Sequence, residues 1–533
     1  MATPLAPWAV ALITLAVVLI VFFIIKAIVK SIASRAYYNI LKNPSTPLDT
    51  ESFVGPANPP NCVKCVILHR FNVGSRKPSS NGLPLTSIPS PDVDNLRLSR
   101  ALGDTNATER DPTDTLFAKD TPADLSPDKP VVVVGTIRMG FGHHRIAYST
   151  ASWSVDNASQ TYFHDFLAIK SEEADLIKST DALYSKGSRI ASEWGGPVEK
   201  VWGGLMLGGD ADALRAASLM AVHLRPLLAS LPRNTPFIAT HQLVALTAVA
   251  AGFTNVINLV IDNHPQWFIT VPGALNLIQG PVNYQSFLNM GIPAENLQLA
   301  GHWCPRELVE NIPKDCATRL ARMKAKEPKR ILIPVGGAGA QRKFIINFIH
   351  ALAPKVRAGS VQLLLNGGDH KHMKVAFEKV LKEEDLDYET ISTTAAVKEF
   401  QGKLLKGGSP SKNVTLFAFD DYFPAVATTD IMCRVADILA CKPSELAFYP
   451  LPKLMVRRVG DHEADSARRA SELGDGTIEA RTIEDAMNFV RLFCDSDDLF
   501  TQMNEKVIKN NEQGIYDGCK QAVQIALEKM KKK

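Results

Sequence analysis

The chain has 533 residues, 46% hydrophobic and 21% charged, with 59 Lys and Arg against 55 Asp and Glu for a formal charge of +4. That composition excludes a disordered polymer and gives length for about two buried cores. The basic residues are scattered rather than gathered into stripes with interleaved aromatics, so no nucleic-acid partner is expected, and 8 Cys exclude a disulfide scaffold.

The first predicted element is "WAVALITLAVVLIVFFII", Trp8 to Ile25. An apolar run of this length suits the roughly 20 helical residues that span a bilayer and exceeds the roughly 7–15 of a cleavable signal core. Residues 1–42 therefore read as a single-pass membrane anchor with a basic flank. No Lys or Arg precedes the run, whereas Lys26, Lys30, Arg35 and Lys42 follow it. The positive-inside bias then puts the main body in the cytosol, on the endoplasmic reticulum or another internal membrane if the cell is eukaryotic. The closing "KMKKK" resembles a dilysine retrieval signal, which also works from the cytosol. Asn106, Asn157 and Asn413 sit in N-x-S/T sequons, which would matter only on a lumenal body.

Residues 43–129 shift to Pro, Ser, Asp and Asn, with "GPANPPN", "RKPSSNG" and "IPSPDVDN" as breakers. A poorly ordered stalk is expected, with one candidate strand at "CVKCVILHRF". Cys62 and Cys65 form the one CxxC pair, and His69 is its single nearby candidate ligand, short of a zinc set. No metal site is predicted.

From Pro130 onward, short apolar strands alternate with helical patterns. "VVVVGTI", "TPFIATH" and "VINLVID" form one series; "RILIPVGG", "VQLLLNGG", "VTLFAF", "ADILAC" and "PKLMVR" form a second. β-branched runs bounded by turns suit buried parallel strands, and two βαβ series predict two doubly wound, Rossmann-like α/β domains. Their expected spans are 130–310 and 311–496, with the break near "CPRELVENIPKD". Residues 497–533 are expected to form helices that pack back across both lobes and end in a basic tail.

In such sheets ligands bind beyond the carboxyl ends of the strands, so the residues following each strand are the candidates for chemistry. After the first strand comes "GFGHHRIAYS". Gly140 and Gly142 let backbone amides approach a ligand, and a helix from about His143 would aim its N-terminus there. His143 can contact an anion or act as a base. In the second series "ILIPVGGAGAQRKF" repeats this design through Gly336, Gly337 and Gly339, without the G-K-[ST] ending of a Walker loop. Gly368, closing "VQLLLNGG", belongs to the same predicted lining. Ser444 is expected to cap a helix while Glu445 presents a carboxylate to the cleft, a group suited to a vicinal diol such as ribose. Asp262 ends the strand of "LVIDNHPQWF" and is a second candidate base.

In this order the motifs resemble the GT-B glycosyltransferases, and within them the branch of monogalactosyldiacylglycerol synthases and MurG-type enzymes. "GFGHHRIAYS" stands where that branch has a "GGGHRASA"-like turn, "HPQWF" where the synthases have "HPTWF", and "VGGAGA" where a "GGGEG" or "GGSQG" turn opens the donor domain. "KPSELAFYPLPKLMV" followed by "GDHEADSARRASELGDG" takes the place of the donor signature, without its usual glutamine pair.

The resemblance implies a nucleotide-sugar donor, a uridine diphosphate sugar, held mainly by the second lobe. By position Gly337 and Gly339 would face the diphosphate, Phe419 would lie beside the base, Glu445 would hold the ribose, and Asp461, His462 and Glu463 would lie near the sugar. Transfer would invert the anomeric carbon, with no cofactor and no metal required in principle. The expected acceptor is a membrane lipid. "SEWGGPVEKVWGGLMLGGDADAL", Ser192 to Leu214, carries Trp194 and Trp202 among aliphatics and glycine pairs, as suits an interfacial segment. Two alternatives stay open: a sugar-nucleotide epimerase of the same fold, and a non-catalytic membrane-tethered scaffold.

Overall fold

The computed structural model describes residues 7–41, 48, 53, 83–91, 93–103, 116, 131–158, 160–178, 211–336, 341–460 and 463–531. Residues 7–41 are one helix, α1 (Pro7–Leu41). Its described side chains from Leu12 to Ile25 are all exposed. Among the described residues no helix is long and apolar enough to cross a membrane. The fold thus does not show the predicted membrane span.

The first lobe is built on an eight-stranded sheet. Its strands are β1 (Leu85–Pro89), β2 (Leu96–Ala101), β3 (Val131–Thr136), β4 (Gln160–Asp165), β5 (Phe237–Ala239), β6 (Val256–Leu259), β7 (Leu275–Ile278) and β8 (Leu297–Leu299). They are ordered β1-β2-β4-β3-β5-β6-β7-β8, with β1 antiparallel to β2 and the other neighbours parallel. β1 and β2 correct the expectation of a stalk over this part of 43–129. "LTSIP" and "LRLSRA" read as breaker-rich sequence, yet Leu85, Leu96 and Leu98 are buried, and β2 gains a partner in β4. The "CVKCVILHRF" stretch and residues 192–210 of the Trp194 segment lie outside the described residues, while its last four residues open a helix in which Ala213 and Leu214 are buried.

The second lobe carries six parallel strands: β9 (Lys329–Pro334), β10 (Val361–Asn366), β11 (Tyr388–Ile391), β12 (Val414–Phe417), β13 (Ile438–Cys441) and β14 (Lys453–Met455), ordered β11-β12-β10-β9-β13-β14. Successive side chains leave a strand on opposite faces, so a sheet covered on both sides needs apolar residues at every position. That is what these strands supply. In β3, Val132 and Val134 enter one cluster while Val131 and Val133 enter another. In β9, Leu332 joins the first of those clusters and Ile331 and Ile333 a third. The cluster holding Val132, Val134 and Leu332 draws on both sheets, so the lobes share one apolar core.

Six further helices matter for the site: α2 (Gly142–Asn157) after β3, α3 (Gln242–Ala250) after β5, α4 (Tyr422–Cys433) after β12, α5 (Ala464–Leu473) after β14, and α6 (Asp497–Glu512) with α7 (Gly518–Lys531) closing the described chain. α6 packs on the second lobe, and α7 returns to cover α2, β5 and β6 of the first.

Candidate functional site

Each sheet has one switch point, where the chain leaves a central strand on one side and a later strand pairs on its other side. In the first lobe β4 and β5 flank β3; in the second β10 and β13 flank β9. Crevices at switch points are where open α/β sheets hold ligands. The residues following β3 and β5 are Ile137–His143 and Thr240–His241; those following β9 and β13 include Gly336 and Lys442–Glu445. These two crevices face each other. A methyl group on Gly142 would come within 3.2 Å of Glu445 Oε2, and one on Gly336 within 3.3 Å of Lys442 Cε. Both contacts are with the far ends of flexible side chains, so a methyl at either glycine would push Glu445 or Lys442 aside by a few tenths of an ångström.

His143 sits in the first turn of α2. Its Nδ1 lies 2.6 Å from the Thr240 carbonyl oxygen, and Thr240 Oγ1 donates to the His143 carbonyl at 2.9 Å. A carbonyl carries no proton, so Nδ1 must donate and Nε2 of the neutral ring holds the lone pair. Loss of hydration lowers the His143 pKa from the ordinary histidine value, against the opposing pull of the Thr240 carbonyl and the Asp262 and Glu445 carboxylates. The ring is then neutral near pH 7, with a basic nitrogen available. Asp262 lies past β6 and contributes to this field; its carbonyl accepts from Asn283 Nδ2 at 3.0 Å.

The neighbouring His144 does the opposite job. It is fully buried, ringed by Tyr148, Phe163, Tyr422 and Phe423, and neither ring nitrogen has a hydrogen-bond partner. It joins the lobes as an apolar ring. The turn before it is fastened by Tyr422, whose hydroxyl donates to the Gly140 carbonyl at 2.6 Å, while Arg138 stacks over the Tyr422 ring at 4.7 Å.

In the second lobe, Lys442 Nζ bonds Glu463 Oε1 at 2.5 Å, and Glu463 Oε2 accepts from the Val459 amide at 2.8 Å. Glu463 thus buttresses the lysine and the turn before α5. Glu445 turns its carboxylate to the first lobe, with Oε1 3.7 Å from Arg145 Nε. Ser444 corrects an expectation: it precedes a four-residue 3-10 helix, Glu445–Phe448, and its side chain makes no capping bond. Its backbone, at φ −115° and ψ −140°, departs from ordinary cap geometry, and its amide donates to the Lys442 carbonyl at 2.8 Å. Phe419 is buried beyond β12, its amide donating to the Gly368 carbonyl at 3.0 Å. Gly368 has φ +64° and lies against Phe141 of the first lobe.

The structure therefore gathers Gly142, His143, Gly336, Glu445 and Glu463 at one cleft, with Asp262 on its first-lobe side and Gly368 and Phe419 on its second-lobe side. Gly337, Gly339, Asp461 and His462 lie outside the described residues. Among the described residues no cluster of three or more His, Cys, Asp or Glu side chains is arranged to hold a metal. Sequence reasoning missed His241, Lys442 and Arg145. The first two follow β5 and β13 directly, so the rule that singled out His143 could have found them.

These features define a two-lobed α/β protein with a polar cleft between two facing switch points. Residues 98–289 match the family model described as a domain of unknown function, DUF6937, and residues 292–527 match that of a second such domain, DUF6938. No curated protein matches the chain. Among solved structures it is similar to the UDP-GlcNAc 2-epimerase from Neisseria meningitidis bound to UDP-GlcNAc, at 12% identity over 76% of this chain and 100% of that one, TM-score 0.43. It is also similar to Anabaena Alr3699/HepE in complex with UDP and glucose, at 10% identity over 75% and 99%, TM-score 0.37. Likenesses of this depth carry no conclusion about activity.

Proposed function

We propose that the chain is a membrane-anchored glycosyltransferase of the GT-B type, moving a sugar from a uridine diphosphate donor to a lipid or lipid-linked acceptor. The observation that carries the reading is the pairing of the two crevices: a neutral histidine with a free lone pair on one side, Lys442 beside Gly336 on the other. The motif likeness to the monogalactosyldiacylglycerol synthase and MurG-type branch supports it, and the uncharged run Trp8–Ile25 of the sequence is what suggests the anchor.

In this mechanism the acceptor O–H bond breaks, its proton passing to His143 Nε2. The oxygen bonds the anomeric carbon, and the electron pair of the old sugar–phosphate bond leaves with the diphosphate, which inverts that carbon. Lys442 beside Gly336 neutralises the charge on the departing diphosphate. Glu445 exchanges its contact with Arg145 for the ribose hydroxyls.

The test is thermal stabilisation of the full chain by UDP, UDP-galactose, UDP-glucose and UDP-N-acetylglucosamine, with Lys442→Met and Glu445→Ala variants. A ligand at 100 times its Kd adds about 2.7 kcal/mol. Stabilisation by one sugar nucleotide, weakened in both variants, supports the donor site; sugar transfer to lipid vesicles then supports the acceptor. Altered donor sugar without any acceptor means an epimerase. Absence of stabilisation by any uridine nucleotide means a scaffold and overturns the reading.

A further inference from the structure

β5 ends in a second histidine, and it meets the first. The rings of His143 and His241 have centroids 4.3 Å apart, inclined by 51°. Both stand at the switch point of the first sheet, one beyond β3 and the other beyond β5.

Their hydrogen bonds differ in sense. His143 Nδ1 faces the Thr240 carbonyl, so it must be the protonated nitrogen. His241 is the N-cap of α3, and its Nδ1 accepts from the Leu243 amide at 3.1 Å. An acceptor nitrogen has no proton, so the hydrogen of the neutral His241 ring is on Nε2. Two adjacent imidazoles are thereby locked by backbone groups into opposite tautomers. Neither Nε2 has a partner in the protein among the described residues. The charged groups facing the pair are the Asp262 and Glu445 carboxylates, and burial keeps both rings below the usual histidine range.

We propose that His143 and His241 form a hydroxyl-binding pair, in which His241 Nε2–H donates to the oxygen of an alcohol whose proton is accepted by His143 Nε2. A hydroxyl is donor and acceptor at one atom, and two rings with centroids 4.3 Å apart offer the complementary acceptor and donor nitrogens. An amine arriving as an ammonium offers no lone pair to His241, and a carboxylate offers no proton to His143. The pair therefore favours an uncharged hydroxyl, as of an alcohol, over an ammonium or a carboxylate as the group that attacks. His241 is then a substrate-binding residue that holds the nucleophilic oxygen in line and stabilises the negative charge growing on it as the proton leaves. The catalytic part of this inference rests on the transferase reading above; the tautomers do not.

The experiment uses the full chain labelled with 15N-histidine, the two rings being assigned with His143→Gln and His241→Asn. Asn is a strong N-cap, so His241→Asn keeps the α3 cap while deleting the Nε2–H donor. Ring nitrogen–proton correlations at pH 7 should show His143 protonated at Nδ1 and His241 at Nε2. The same tautomer in both rings, or an imidazolium in either, overturns the pair. With a donor that supports transfer, His241→Asn should lower kcat at least tenfold, with KM for the sugar nucleotide and the melting temperature unchanged. An unchanged kcat overturns the role of His241. If no sugar nucleotide supports transfer, the function fails, and the tautomers still decide whether the pair exists.

Discussion

Arg145 of α2 and Asp430 of α4 meet at 2.6 Å across the boundary between the lobes. The guanidinium is almost fully buried and also donates to the Val426 carbonyl at 3.0 Å, while Tyr449 donates its hydroxyl to the same Asp430 oxygen at 2.8 Å. A pair this enclosed is costly to form and costlier to break, because the buried Arg145 then keeps its charge with only the more distant Glu445 carboxylate, 3.7 Å away, to balance it. Asp430→Ala should lower unfolding free energy by about 3–5 kcal/mol, read by urea denaturation. A loss under about 1 kcal/mol would mean that water reaches the pair.

Several histidines are buried neutral, and this makes the fold acid-sensitive. Burial pushes His164 down to about 4 and takes His144, His241 and His302 well below the usual range. Unfolded histidines take up protons below pH about 6.5, whereas these folded ones do not, so stability falls as pH drops through that value. His164 alone accounts for about 3 kcal/mol between pH 6.5 and 4. Equilibrium unfolding at a series of pH values should show this slope. His144→Phe should flatten it and cost less than about 1.5 kcal/mol at pH 7, since His144 has only aromatic neighbours.

A second cross-lobe contact titrates lower. His264 Nδ1 and Asp465 Oδ2 are 2.7 Å apart, and this bond holds the Asp465 carboxyl below its ordinary value. A depressed carboxylate stabilises above the unfolded pKa near 3.9, and its contribution disappears as pH falls through the lower folded value. Both groups are partly exposed, so His264→Asn should cost only about 0.5–1 kcal/mol at pH 6, and the difference should vanish toward pH 2. A difference that persists in acid would assign the contact to packing.

Two glycines flanking the first turn should respond differently. A methyl on Gly135 would lie 2.6 Å from the Phe237 ring and 2.7 Å from Val244, both rigid, so Gly135→Ala should destabilise by about 1–3 kcal/mol. A methyl on Gly142 meets only the end of the Glu445 side chain, which can swing aside. Gly142→Ala should leave the melting temperature nearly intact and, on the proposed function, weaken stabilisation by the nucleotide donor instead.

The central strands of both sheets were legible because burial on two faces demands unbroken apolar runs: "VVVVGTI", "VINLVID" and "VQLLLNGG" can hardly be anything else. β4 was not legible. "QTYFHD" contains four polar residues, yet His164 and Asp165 are buried there, held by the Leu227 carbonyl and by the Arg138 and Leu167 amides. β11, "YETI", lies at a sheet edge where burial imposes little pattern. At the cleft, the position of His143 after a strand was readable, but its tautomer depends on a carbonyl distant in sequence, and the approach of Glu445 to Gly142 depends on how two lobes dock. Tertiary contacts of this kind leave no periodic trace.

α7 has a consequence for biosynthesis. It covers the first lobe, where Thr150 bonds Cys519 Sγ at 3.5 Å, Asn255 donates to the Ala526 carbonyl at 2.8 Å, and Ala522 and Val523 are buried. The ribosome makes this helix some two hundred residues after β8, at roughly 5–20 residues per second. For many seconds the nascent first lobe therefore lacks the cover of its own α2, β5 and β6. The packing of the first lobe is therefore completed only after the second lobe has been made, when synthesis reaches α7.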